Sequence, residues 1–214
     1  MTDTATGPVV VPDGRTRRGE ETRERLLAAA IQLFGSQGFE STSMKELAAA
    51  AGVRAPAIYN HFESKERILA AATIWAMEDF HAQVVRTDNS AADARDRLAN
   101  LVRRHVIYQL EHVQLARSND LVMDADALRQ LLPTDAHAHV RQLMRTHLNL
   151  ITGIIDELQA TRSARSPLPP PRLCALAVLT MCDRVLSWYK PDGALSKEEI
   201  AAAYWELVRG MLRL

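Results

Sequence analysis

Arg54, Tyr59, Asn60, His61 and Lys65 lie close together, and the stretch opens on the small residues Ala55, Pro56 and Ala57. A guanidinium holds a guanine edge or a phosphate in a two-donor fork. Small side chains let a helix backbone approach base edges and thymine methyls. A phenol and an imidazole donate to phosphate oxygens, which fixes register without reading sequence. A lysine in the first turn of a helix adds its charge to the free N–H groups there and attracts a phosphate. Together these groups suit contact with the DNA major groove.

The elements that must position them are legible. Residues 42–65, TSMKELAAAAGVRAPAIYNHFESK, read as a helix, a glycine turn, a short second helix and a fresh helix start, the pattern of a helix-turn-helix. Ser43-Met44-Lys45-Glu46 is a capping box that starts the first helix, with Met44, Leu47, Ala48 and Ala51 facing inward. Gly52 supplies the positive φ for the sharp turn. The second helix covers residues 54–61, and Pro56 fits in its first turn. Ile58 and Phe62, four apart, must face the helix that comes before this pair of helices. That helix spans residues 20–37, with an apolar stripe of Leu27, Ala30, Ile31 and Phe34 and a stop at Gly38. Ser64 caps the next helix. For Tyr59 the alternative is partial packing against the helix over residues 20–37.

Ala and Leu dominate the 214 residues, aromatic content is only 5%, and no strand alternation or repeat occurs, so the fold class is all-α, with about nine helices. Beyond residue 65 the expected helices run over about 65–86, 91–115, 119–131, 134–162, 171–189 and 197–213. Residues 163–171 form a proline-rich break, and Pro191-Asp192-Gly193 turns the last two helices into a hairpin. The domain reading is a flexible arm over 1–19, a three-helix DNA-binding domain over 20–67 and a larger helical domain over 68–214. Arg15, Arg17 and Arg18 end the arm, either as a solvated tail or as a basic arm reaching DNA. Net charge is +0, so a DNA binder here must gather its cations on one face. Residues 15–67 carry nine Lys and Arg against seven Asp and Glu. No apolar leader is visible, and the run 173–182 is too short for the ~20 residues of a membrane span, so a cytoplasmic protein is expected. Cys174 and Cys182, about 12 Å apart along one helix, are expected as buried thiols.

In the second domain, Arg184 and Trp188 are i, i+4 on the expected helix and would share a face. Arg beside Trp suits an anionic ligand with a flat or fatty part; the alternative is an Arg paired with Asp183 or Glu206 beside a core Trp. Asn119, Met123, His147 and Ile151 either line a cavity between helices or are ordinary core. The wide apolar faces of the last two helices suit a four-helix dimer interface through Leu173, Leu176, Thr180, Tyr204 and Val208, with Trp205 as an anchor. His137 and His139 diverge on a helix, and His105 and His112 lie two turns apart, so no metal site or cofactor is expected. Phosphate loops and nucleophile elbows are missing, which argues against an enzyme.

The segment GFESTSMKELAAAAGVRAPAIYNHFESKERIL closely resembles the DNA-binding part of TetR family transcriptional regulators, over residues 22–69. Gly38-Phe39, Leu47-Ala48, Ala51-Gly52-Val53, Tyr59, His61-Phe62 and Ser64-Lys65 carry the likeness. The resemblance implies a homodimer that binds a palindromic operator and is released by a small-molecule effector held in the C-terminal domain. It also implies DNA contacts from Ser43 and Lys45. The segment DRVLSWYKPDGALS, residues 183–196, is similar to a subgroup that regulates lipid and steroid breakdown and responds to CoA thioesters. That similarity implies a CoA thioester as effector; the alternative is a hydrophobic drug-like compound, as in regulators of efflux.

Overall fold

The computed structural model describes residues 14–116, 132–161 and 169–214. Asn119, Met123 and the helix expected over 119–131 lie outside them, as do residues 1–13. Among the described residues the elements are helices, with no strand. They are α1 (Gly14–Gln37), α2 (Met44–Ala50), α3 (Ala55–Ile58), α4 (Lys65–Phe80), α5 (Ala94–Glu111), α6 (Thr134–Ala160), α7 (Pro171–Asp183) and α8 (Lys197–Leu212).

α1 begins before the expected boundary at residue 20. Arg15, Arg17 and Arg18 therefore belong to its first turns rather than to a flexible arm. Arg17 pairs with Glu21 at 3.5 Å, and the Thr22 hydroxyl donates to the Arg18 carbonyl. Arg and Glu are good helix formers, and an i, i+4 pair of this kind, at about 0.2–0.5 kcal/mol, offsets part of the ~1 kcal/mol cost of Gly19.

α1 stops at Gly38, whose φ is +86, and Gly52 turns the chain between α2 and α3 at φ +66. Ser43 and Glu46 form the expected box: the Ser43 N–H donates to Glu46 Oε2 at 2.8 Å, and the Glu46 N–H to Ser43 Oγ at 3.2 Å. Leu26, Phe34, Leu47, Ile58 and Phe62 close the core of this unit. The core continues without a break across residue 67 into Ile68, Leu69, Ala76 and Phe80 of α4, and on to Tyr108 and Val140.

The helix expected over 65–86 is not uniform. After Phe80 it widens into a π turn, His81–Val85, closed by the Arg86 N–H on the His81 carbonyl. Arg104 Nη2 donates to the Val84 carbonyl at 3.2 Å and occupies an acceptor at this turn. The turn buries His81, Val84 and Val85. Asp88, with Arg97 at 2.9 Å, ties the end of this region to α5, and Arg97 reaches Glu157 of α6.

A second core joins α5, α6, α7 and α8 through Leu98, Leu101, Ile151, Val178 and Val208. α8 lies along α5. Tyr204, Trp205 and Val208, expected at a dimer interface, are buried in this core, and Ile151 lies there too rather than in a ligand cavity. The reason is the period of α8: positions 200, 201, 204, 205, 208 and 212 form one face, and α5 takes it. Leu207 and Met211 are exposed instead, alongside Leu173 and Leu176 of α7. Cys174 and Cys182 are free, buried thiols.

Candidate functional site

The first candidate surface is the outer side of α3. Arg54 is its N-cap in an extended conformation, and Pro56 sits in the first turn. Burial of Ile58 and Phe62 fixes the helix against the α1–α2 core, and Arg23 covers the Phe62 ring at 5.3 Å. Ala55, Pro56, Tyr59 and Asn60 are exposed, a stripe at i, i+1, i+4 and i+5. Tyr59 is 58% exposed, so most of it is open to solvent rather than buried on α1. Ser43 and Lys45 are exposed at the start of α2, and Arg54 at the start of α3. Ala57 and His61 are half-buried; His61 lines a groove with Arg23 of α1, Trp75 of α4 and Asp135 of α6.

Lys65 is placed differently from the expectation of a free phosphate contact. Its ammonium donates to the Phe39 carbonyl at 2.8 Å and lies 4.2 Å from the centre of the Phe39 ring. It ties the start of α4 to the turn between α1 and α2, because those carbonyls follow the helix stop and lack helical partners.

The second candidate site is a cavity of about 360 Å³ inside the C-terminal helices. α4 contributes Met77 and Phe80; α5 gives Tyr108 and Gln109; α6 gives Arg141, Met144, Arg145, His147 and Leu148; α7 gives Leu176, Leu179, Thr180 and Asp183. Its wall is mainly apolar. Arg141 and Arg145, one turn apart and both exposed, form a cationic edge, and neither has a carboxylate partner among the described residues.

Around Phe80 stand three buried imidazoles from three elements: His81 of the π turn, His105 of α5 and His147 of α6. The His105 and His147 ring centres are 5.3 Å apart, and those of His81 and His147 6.3 Å. Each has a buried nitrogen without a partner among the described residues: His81 Nε2, His105 Nδ1 and His147 Nε2. An unpaired buried group of this kind costs about 1–3 kcal/mol. His105 Nε2 meets Asp183 Oδ1 at 2.9 Å, and Tyr108 donates to Asp79 Oδ2 at 2.8 Å. Burial, with His105 and His81 nearby, holds His147 well below the ordinary imidazole range, and burial lowers His81. Burial, then Asp79, raises the Tyr108 phenol. Burial thus favours the uncharged forms of His147, His81 and Tyr108 on a polar floor that also holds the Asp183 and Asp79 carboxylates. Among the described residues no group of three or more His, Cys, Asp or Glu could hold a metal ion.

The family model of bacterial regulatory proteins of the tetR family matches residues 26–72, and that of the tetracyclin repressor-like C-terminal domain matches residues 91–212, over half the chain. The chain belongs to the TetR family. It is thus a DNA-binding transcriptional regulator rather than a member of an enzyme family. It is 24% identical to the HTH-type transcriptional repressor KstR2 of Rhodococcus jostii, over 87% of this chain and 88% of that protein. A TetR family regulatory protein from Rhodococcus has the same fold at TM-score 0.77 and 27% identity, with 89% of this chain and 96% of that one covered. The structure of AibR in complex with isovaleryl coenzyme A and operator DNA matches at TM-score 0.76 and 23% identity, covering 89% and 98%.

In this TetR regulator the expected effector pair is not where helical spacing put it. α7 ends at Asp183, and Arg184–Ser187 tighten into a 3-10 turn. That change of winding removes the i, i+4 alignment, and neither Arg184 nor Trp188 lines the cavity. Arg184 is exposed; Trp188 is 51% exposed and donates its indole N–H to the Tyr204 hydroxyl at 3.2 Å. Asp183 and Glu206 are engaged with His105 and Arg209, so the alternative ion pair for Arg184 is not made either. Of the cavity residues expected, His147 is in the wall. Sequence reasoning missed Arg141, Arg145, Tyr108 and His81, and weighed His105 only as a metal ligand. The available signal was an imidazole on an apolar stripe, as for His105 among Leu98, Leu101, Val102 and Val106.

Proposed function

We propose that this chain is a homodimeric repressor that binds a palindromic operator and is released by a CoA thioester of lipid or steroid catabolism. The observation that carries this reading is the cavity: an apolar chamber edged by Arg141 and Arg145, which have no acidic partner among the described residues. An amphiphile with an anionic head and an apolar body matches that polarity. The names of two similar proteins support it, a repressor in one case and a complex with an acyl-coenzyme A and operator DNA in the other. The two arginines weigh against a cationic drug as effector, since like charges at a cavity edge repel it. Ser43, Lys45, Arg54, Ala55, Pro56, Ala57, Tyr59, Asn60 and His61 form the DNA face in this reading, and Lys65 supports it from behind. Leu173, Leu176, Leu207 and Met211 are the surface for the second protomer.

The test is fluorescence anisotropy on palindromes from the protein's own promoter region. Binding should weaken with salt through counterion release and be reversed by long-chain acyl-CoA at concentrations where the free acid has no effect. Salt-insensitive binding, or none to any genomic palindrome, would sink the repressor reading. Release by drug-like compounds alone would replace the effector.

A further inference from the structure

We infer that Asp183 forms a subsite in the cavity for a hydroxyl on the acyl body of the effector, and turns away a carbonyl or carboxylate there. The inference rests on the effector reading above and names a feature of the acyl body that reading leaves open. Asp183 lines the cavity and its side chain is 51% exposed, so a ligand in the cavity can touch it. Its two oxygens have different surroundings. Oδ1 meets Nε2 of the buried His105 at 2.9 Å and lies 3.4 Å from the side-chain nitrogen of Gln109, which also lines the cavity. A carboxylate only accepts, so both of these groups donate to it. Oδ2 accepts no hydrogen bond among the described residues. The carboxylate is thus held through its inner oxygen and leaves the other as an acceptor for a ligand. Asp183 makes no ion pair with Arg141 or Arg145, although all three line the same cavity. A ligand that satisfies these opposite charges has an anion at one end and a donor at the other. Its anionic head is drawn to the arginines and repelled by Asp183, which leaves the acyl body to meet the carboxylate. On α7 the wall changes from apolar Leu179 to Asp183 within one turn, about 6 Å of helix axis. A hydroxyl on an apolar body fits that change. A carbonyl or carboxylate there brings a second acceptor against a charge and leaves Oδ2 without a donor.

Calorimetric titration of the full chain tests this. The probes are decanoyl-CoA, its 3-, 6- and 9-hydroxy and 3-, 6- and 9-keto derivatives, and the corresponding free acids. Wild type should bind at least one hydroxy thioester roughly 10- to 100-fold more tightly than the keto thioester with its oxygen on the same carbon. Asp183→Asn keeps an acceptor for His105 and sets an amide donor toward the ligand. It should erase that margin and tighten binding of the keto compound, whereas a merely loosened cavity weakens both alike. No margin at any of the three positions overturns the subsite, even where every CoA compound binds. So does a margin that Asp183→Asn leaves unchanged, or an equal loss for all thioesters, decanoyl-CoA included. An Asp183-dependent margin among the free acids, with no binding of any CoA compound, keeps the subsite and refutes the CoA reading. Unchanged operator affinity of Asp183→Asn without effector checks that the fold is intact.

Discussion

Gly35 of α1 faces the backbone carbonyl of Gln114 so closely that a Cβ at position 35 would stand 2.4 Å from that oxygen. α1 belongs to the DNA-binding unit, and Gln114 lies two residues from Ala116 in the cavity wall. In an open helix Gly→Ala stabilises by about 1 kcal/mol. Here the sign reverses, because backbone rather than a flexible side chain must move. Gly35→Ala is expected to lower stability by about 1–3 kcal/mol, seen as a lower urea midpoint. It should also change how strongly effector lowers operator affinity. A midpoint at or above wild type would show that the contact yields freely.

Arg54 and Lys65 should separate cleanly. Arg54→Ala is expected to weaken operator binding by about 1–3 kcal/mol and leave the melting temperature unchanged. Lys65→Met keeps the stem on Phe39 and removes the bond to its carbonyl, so it should cost about 1 kcal/mol of stability. Paired thermal melts and anisotropy titrations read both. Equal melts for the two variants would mean that Lys65 is not a structural tie.

The buried imidazoles make stability pH-dependent. His81 and His147 have folded values below the ordinary 6.5, so below that pH the unfolded chain binds more protons than the folded one. Their contribution is complete above pH 6.5 and falls as pH drops from there, by up to about 1.4 kcal/mol per unit per group. Urea midpoints from pH 7.5 to 5.5 should fall in wild type and fall less in His147→Gln. Parallel curves would place His147 outside the effect.

Arg141 and Arg145 can be neutralised together without touching the α3 surface. Arg141→Gln with Arg145→Gln is expected to leave operator affinity unchanged and raise the acyl-CoA concentration for half-release at least tenfold. The loss should shrink as salt rises, since exposed charges are screened. Unchanged release would move the anionic head elsewhere, with exposed Arg184 the next residue to test.

What the residues alone determined is local. The capping box at Ser43, the stops at Gly38 and Gly52, the inward pair Ile58 and Phe62 and the outward Arg54, Ala55, Tyr59 and Asn60 are set by hydrogen bonds and periodicity within a few residues and stand where spacing put them, whereas Ala57 and His61, also expected outward, are half-buried. The all-α class and most helix positions followed from composition and period for the same reason. Tertiary structure decided the rest. Whether α8 turned Trp205 to a partner or to α5 depended on which of two apolar faces found a neighbour. Arg184 and Trp188 parted because the end of α7 tightened. Lys65 bonds carbonyls of a turn 25 and 26 residues earlier in the chain, Glu40 and Phe39, which only the folding of α4 onto that turn brings within reach. His81, His105 and His147 meet only because a π turn and two helices from distant parts of the chain pack around Phe80, and no spacing within one helix encodes that meeting.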